Sequence, residues 1–181
     1  MGRSVIASFA CLAILVGVSR GQELPKPTEE HKELLKDVGK WDATIKIYSS
    51  PGEDPQESKG TEVIKAIGEF WIIGEFSGEV GGMEFFGAGT TGFDPAKKKF
   101  TGTWVDSMTP SIMFQEGTYD EKTKEVTMLG DSVGMDGKPA KVKTVSKRVD
   151  PDTRQFTMSM KSEATGPDFV KMMEITYKRA K

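Results

Sequence analysis

A chain of 181 residues whose one cysteine is Cys11 can form no internal disulfide and no thiolate metal cluster, so packing must hold its fold. Its 25 Lys and Arg against 27 Asp and Glu give a net charge of −2. The lysines are scattered with few aromatics between them, which leaves no footprint for nucleic acid.

The N-terminus carries Arg3, then an apolar run from Val5 to Val18, then small residues around Ser19 and Gly21, the layout of a cleavable export signal. At 14 residues that run is shorter than the ~20 needed to cross a bilayer as a helix. Cleavage is expected after Ser19 or after Gly21, and it removes Cys11, which sits inside the run and not at the end where a lipidated cysteine belongs. A lone early arginine favours the general export route over the twin-arginine one. If cleavage follows Gly21, loss of Arg3 and Arg20 leaves 23 basic against 27 acidic side chains, a net charge of −4. The expected product is soluble, periplasmic or extracellular, and makes no stable membrane insertion. The expected organisation is a signal over 1–21, a Pro-containing tether over 22–27 and one domain over 28–181.

Thr28 is a good N-cap, His31, Leu34, Leu35 and Val38 recur at helical spacing, and Gly39 supplies a stop, which predicts one short helix acting as a lid. From Trp41 the period changes to two. Ten strand-like segments follow: Trp41 to Ser49, Gly60 to Ile67, Phe70 to Val80, Met83 to Phe93, Lys99 to Ser107, Ile112 to Tyr119, Glu125 to Ser132, Lys141 to Val149, Arg154 to Glu163 and Phe169 to Lys178. Helices between strands, which a parallel sheet requires, are missing from this pattern. Gly81-Gly82 and Asp136-Gly137 read as hairpin turns. Asp94-Pro95, Asp120-Glu121 and Asp150-Pro151 each open a similar turn, with Asp placed to accept from the turn backbone.

An antiparallel meander without disulfides either closes or leaves two exposed edges, and closure removes the edge hazard. The expected fold is therefore all-β, an up-and-down barrel of about ten strands with a short N-terminal helix. Gly74, Gly78, Gly87, Gly89 and Gly92 suit sharp coiling of the barrel wall or, alternatively, close approach of a ligand.

Gly39-Lys40-Trp41, opening the first strand after a helix, resembles the G-x-W motif of lipocalins and other calycins. In that superfamily a basic residue of the last strand covers the tryptophan, and Lys178 or Arg179 is placed to do so. Gly92-Phe93-Asp94-Pro95, Lys97-Lys98-Lys99-Phe100, Gly102-Thr103-Trp104-Val105-Asp106-Ser107-Met108 and Glu116-Gly117-Thr118-Tyr119-Asp120 resemble the secreted bacterial proteins of domain-of-unknown-function family 1579. That resemblance implies a calycin-like barrel and no established activity. Heme-binding calycins such as nitrobindin use a histidine from a strand near the C-terminus; the sole histidine here, His31, lies on the N-terminal helix, so heme ligation does not carry over.

No catalytic constellation emerges. His31 is expected to be a partly buried helix-surface residue, and without it no Ser-His-Asp triad can be assembled. Glu75, Glu79, Glu84 and Asp106 are the carboxylates available for acid–base work. Phe100, Trp104 and Asp106 share a strand face, so Asp106 either orients a ligand in an aromatic cavity or accepts from the Ser107 to Pro110 turn. Met158 with Met160, and Met172 with Met173, could offer thioethers to Cu(I), though such methionines more often pack or line an apolar pocket. Lys138, Lys141, Lys143, Lys147 and Arg148 are expected to be solvated. No cofactor and no metal site is expected.

The leading reading is a non-catalytic barrel that binds a small apolar or amphipathic molecule, with Trp71, Phe85, Trp104, Asp106, Phe114 and Met158 as its wall. Two alternatives are a carboxylate-based enzyme, needing a buried pair among Glu75, Glu84, Asp106 and Glu116, and a structural or interaction module with a filled core. A hollow or a packed interior discriminates among them.

Overall fold

The computed structural model describes residues 24–49, 53–134 and 137–181. The expected export segment with Cys11 and both cleavage points, and Asp136 of the second hairpin turn, lie outside the described residues. Helix α1 (Glu29–Leu35) leads into β1 (Gly39–Ile47), β2 (Gln56–Ile67), β3 (Trp71–Val80), β4 (Met83–Asp94) and β5 (Lys99–Asp106), followed by β6 (Met113–Asp120), β7 (Glu125–Val133), β8 (Pro139–Asp150), β9 (Thr153–Ser162) and β10 (Val170–Arg179). Each strand pairs antiparallel with its neighbours in sequence, and β1 also pairs with β10, so the sheet closes into a ten-stranded barrel.

Alternation sends one face of each strand inward. In β1 Trp41, Ala43 and Ile45 are buried while Lys40 and Asp42 are exposed. In β8 Ala140, Val142 and Thr144 are buried, and Lys141 and Lys143 face out, Lys141 against Asp131 and Lys143 over the Phe169 ring. The expected bounds differ most at β2, which begins at Gln56 and not at Gly60. Gln56-Glu57-Ser58-Lys59 has no hydrophobic alternation, and its pairing with Thr44 through Ile47 of β1 makes it strand.

The turns follow the side-chain chemistry. Gly81 and Gly82 take φ of 59° and 80°, closing a two-residue hairpin between Val80 and Met83. Asp94 Oδ1 accepts from the amides of Ala96 and Lys97 at 2.9 and 3.1 Å, Asp120 Oδ1 from Lys122 and Thr123 at 2.7 and 3.1 Å, and Asp150 Oδ1 from Asp152 at 2.8 Å. All three turns lie at the end of the barrel that α1 caps.

Two expectations about the cap change. The helix ends at Leu35 and closes its last turn through Asp37 and Val38, so Gly39 does not stop it; Gly39 opens β1 at φ 140°, where a Cβ would sit 2.7 Å from Arg179 Nη1. His31 is not partly exposed but 2% exposed: its Nδ1 accepts from the Thr28 amide at 3.0 Å, and its ring packs edge-on to Phe70 and Phe93 at 5.1 and 5.8 Å. Aromatics brought up by the β3 and β4 ends supply a seat that local spacing does not show. Trp41 is fully buried between two guanidinium groups, Arg179 at 4.2 Å and Arg154 at 4.3 Å, and its Nε1–H donates to Asp37 O at 2.8 Å. Of the two basic residues expected over this ring, Arg179 covers it, while Lys178 donates to Thr153 Oγ1 at 2.6 Å.

Candidate functional site

The interior holds both a buried apolar cluster and a wide lumen. Trp41, Ile45, Ile64, Ile72, Phe76, Ile175 and Tyr177 form a buried cluster spanning β10, β1, β2 and β3. A continuous volume of about 2210 Å³ borders this cluster, Ile45, Ile64, Ile72, Phe76, Ile175 and Tyr177 included, together with residues of the other six strands, and runs from Glu33 and Asp37 at the helix end to Gly81, Met108 and Ser111 at the other. An unfilled apolar interior forgoes dispersion contacts and so lowers stability, which makes a void of this size a feature that folding alone does not favour.

Glycines keep the wall thin. A Cβ on Gly87 would lie 2.3 Å from Trp104 Cζ2, and one on Gly89 would lie 2.9 Å from its Cε3, so the indole lies flat along β4. On β7, a Cβ on Gly130 would meet Gln115 Cγ at 2.9 Å and Met113 Cγ at 3.2 Å. Bulky side chains thereby fold along the wall without crossing the lumen. Among the five glycines expected to coil the wall, Gly92 does for Trp71 on the outer face what Gly87 and Gly89 do for Trp104 inside, with a virtual Cβ 2.4 Å from that ring.

Phe85 and Trp104 are stacked, with centroids 6.5 Å apart and planes 16° from parallel. Trp104 Nε1–H donates to Asp106 Oδ2 at 3.0 Å, and Asp106 Oδ1 accepts from the Met108 and Thr109 amides at 2.9 and 2.8 Å. Asp106 thus satisfies the turn after β5 and borders the lumen at the same time. All eight methionines of the described residues border the lumen as well, Met158 beside Met173 across β9 and β10. Polar groups interrupt this apolar lining: Thr90 and Thr103 share a hydrogen bond of 2.8 Å, Thr144 Oγ1 donates to Gln115 Oε1 at 3.1 Å, and Gln115 Nε2 contacts Met113 Sδ at 3.5 Å.

Charge gathers at the helix end. Arg154 pairs with Glu62 and stacks over Tyr177 at 4.5 Å. Burial pushes the Glu62 carboxyl above its ordinary range, with the Arg154 charge opposing the shift, and burial pushes the Tyr177 phenol well up. Arg148 binds Asp37 and donates to Glu33 O at 2.9 Å, and Arg179 donates to Lys36 O and Val38 O at 3.0 Å each.

Phe85, Trp104, Asp106 and Met158 therefore meet around one lumen. Trp71 and Phe114, 40% and 65% exposed, lie on the outer surface, because their strand neighbours Ile72 and Met113 point inward. The same parity that points Trp104 inward also brings Phe100, Met113 and Gln115 to the lumen, beyond the wall expected from sequence. Glu75 pairs with Lys65 at 2.7 Å and Glu116 with Lys97 and Lys99 at 2.7 and 3.1 Å, all on the outer face, and Glu84 is exposed. No carboxylate pair forms among Glu75, Glu84, Asp106 and Glu116. Among the described residues no three His, Cys, Asp or Glu side chains gather as a metal site, and no helix is long and apolar enough to cross a membrane.

The profile of a family described as "Protein of unknown function (DUF1579)" matches residues 26–179. No curated protein matches the sequence. Among solved structures, the chain is similar to the S-type phycobiliprotein lyase CPES from Guillardia theta, at 15% identity and a TM-score of 0.56, covering 83% of this chain and 92% of that one. It is also similar to Rv2717c from M. tuberculosis, at 12% identity and a TM-score of 0.59, covering 86% and 100%. At these identities the likeness is one of fold, a calycin-like barrel.

Proposed function

This chain belongs to the DUF1579 family of proteins of unknown function, and from that premise we propose that it is an exported, non-catalytic barrel that holds a small apolar or amphipathic molecule in its lumen. The observation that carries the reading is the wide lumen of the barrel, lined by flat-lying Trp104 and by eight methionines. Thioether side chains are flexible and polarizable, so they adapt to a guest more readily than branched aliphatics do. Phe85, Trp104, Asp106 and Met158 form the working wall in this reading. The non-catalytic reading is supported by the engagement of carboxylates that border the lumen: Asp106 by the turn, Glu62 by Arg154 and Asp37 by Arg148.

Export rests on the Arg3, Val5–Val18 and Ser19–Gly21 pattern, with the signal over 1–21, the tether over 22–27 and the barrel domain over 28–181. A barrel working in solution is supported by cross-strand ion pairs on the outer face, Lys65–Glu75 and Lys99–Glu116 among them, where a membrane barrel carries an apolar band. Native mass spectrometry of protein purified from its own host tests the binding reading. A discrete mass above that of the polypeptide, lost on mild activation and reduced in Trp104→Ala, is the expected result. A bare polypeptide mass under the gentlest conditions would count against it.

A further inference from the structure

The geometry points to a particular ligand class: we propose that the lumen takes a flat, conjugated ring bearing a carbonyl-type oxygen, stacked on Trp104 and hydrogen-bonded by the Gln115 amide. This rests on the lumen being a binding cavity and goes further by naming what it selects. One face of the Trp104 indole is covered by the Gly87 and Gly89 backbone, and the residue borders the lumen. Phe85, nearly parallel beside it, widens the platform. The bond from Nε1 to Asp106 fixes the ring, so stacking costs little further ordering.

Gln115 stands one step away on the same inner face, since the register pairs Trp104 with Met113 and Gly102 with Gln115. Its Oε1 is occupied by Thr144, but Nε2 has only the thioether of Met113 at 3.5 Å, a weak acceptor. A ligand oxygen would replace that contact with a full hydrogen bond. Five strands around the ring from β5 lies β10, so Met173, with Met158 beside it, lines the opposite wall of the same lumen with soft, adaptable thioethers. A saturated chain would fill the volume but use neither the stack nor the donor.

The test compares three probes on the purified protein: the naphthyl ketone 6-propionyl-2-(dimethylamino)naphthalene, 2-(dimethylamino)naphthalene without the ketone, and lauric acid. Trp104→Leu should weaken both naphthalenes by about three- to tenfold, and Trp104→Phe should weaken them less. Gln115→Leu should weaken the ketone alone, again by about three- to tenfold. Unchanged binding of the second naphthalene then reports that the lumen is intact. Ketone affinity indifferent to Trp104→Leu, or Gln115→Leu weakening both naphthalenes equally, would overturn the assignment. Lauric acid binding more tightly than either naphthalene would overturn it while leaving the binding cavity standing. Failure of all three probes would count against both.

Discussion

Glu62 is buried at the helix end of the barrel with Arg154 as its partner, and burial outweighs that partner, raising the carboxyl above its ordinary range. A folded state that binds a proton more tightly than the unfolded chain is favoured at low pH. The contribution of Glu62 is thus full below the ordinary carboxylate range and is lost as pH rises through the raised value. Glu62→Gln removes that dependence. Urea midpoints measured between about pH 4 and 7 should show the wild type losing ground to the variant as pH rises. Parallel curves would mean that Arg154, and not burial, governs the group. Period-two spacing placed Trp104 and Asp106 together correctly because alternation is a property of the extended backbone itself. It could not tell that Trp71 and Phe114 face outward, since alternation defines two faces without saying which one closes on the inside.

Seven residues are too few for α1 to be stable as an isolated helix, so its order depends on what it touches. His31 is wedged against Phe70 and Phe93, and Arg148 and Arg179 bind the carbonyls of Glu33, Lys36 and Val38. Arg148→Ala should raise amide exchange across residues 29–38 by about tenfold or more, with β7 to β9 staying protected. Equal loosening of the strands would assign Arg148 to barrel stability and not to the cap. The helix was legible from Thr28 and the Leu34-Leu35 spacing, and the three Asp turns from their side chains, because capping and Asx bonds span only a few residues. The early start of β2 was not legible, since its polar residues become strand only through pairing with β1.

At the scale of the whole chain, closure of β1 onto β10 removes both edges and leaves the interior to be filled or kept open. The export reading makes its own prediction: protein recovered from the exported fraction of its host should have an intact mass beginning at residue 20 or 22, and retention of residues 1–21 would overturn it. The sequence by itself determined the strand count, the turn positions and the helix, all consequences of short-range periodicity and local hydrogen bonding. Only the tertiary structure decided which faces are interior, that His31 is buried, and that a wide lumen stays open inside the closed barrel. Those outcomes depend on register across strands, which sets the Gly87 and Gly89 backbone under the Trp104 ring and Gly130 beneath Gln115, and no pattern along one strand contains that information.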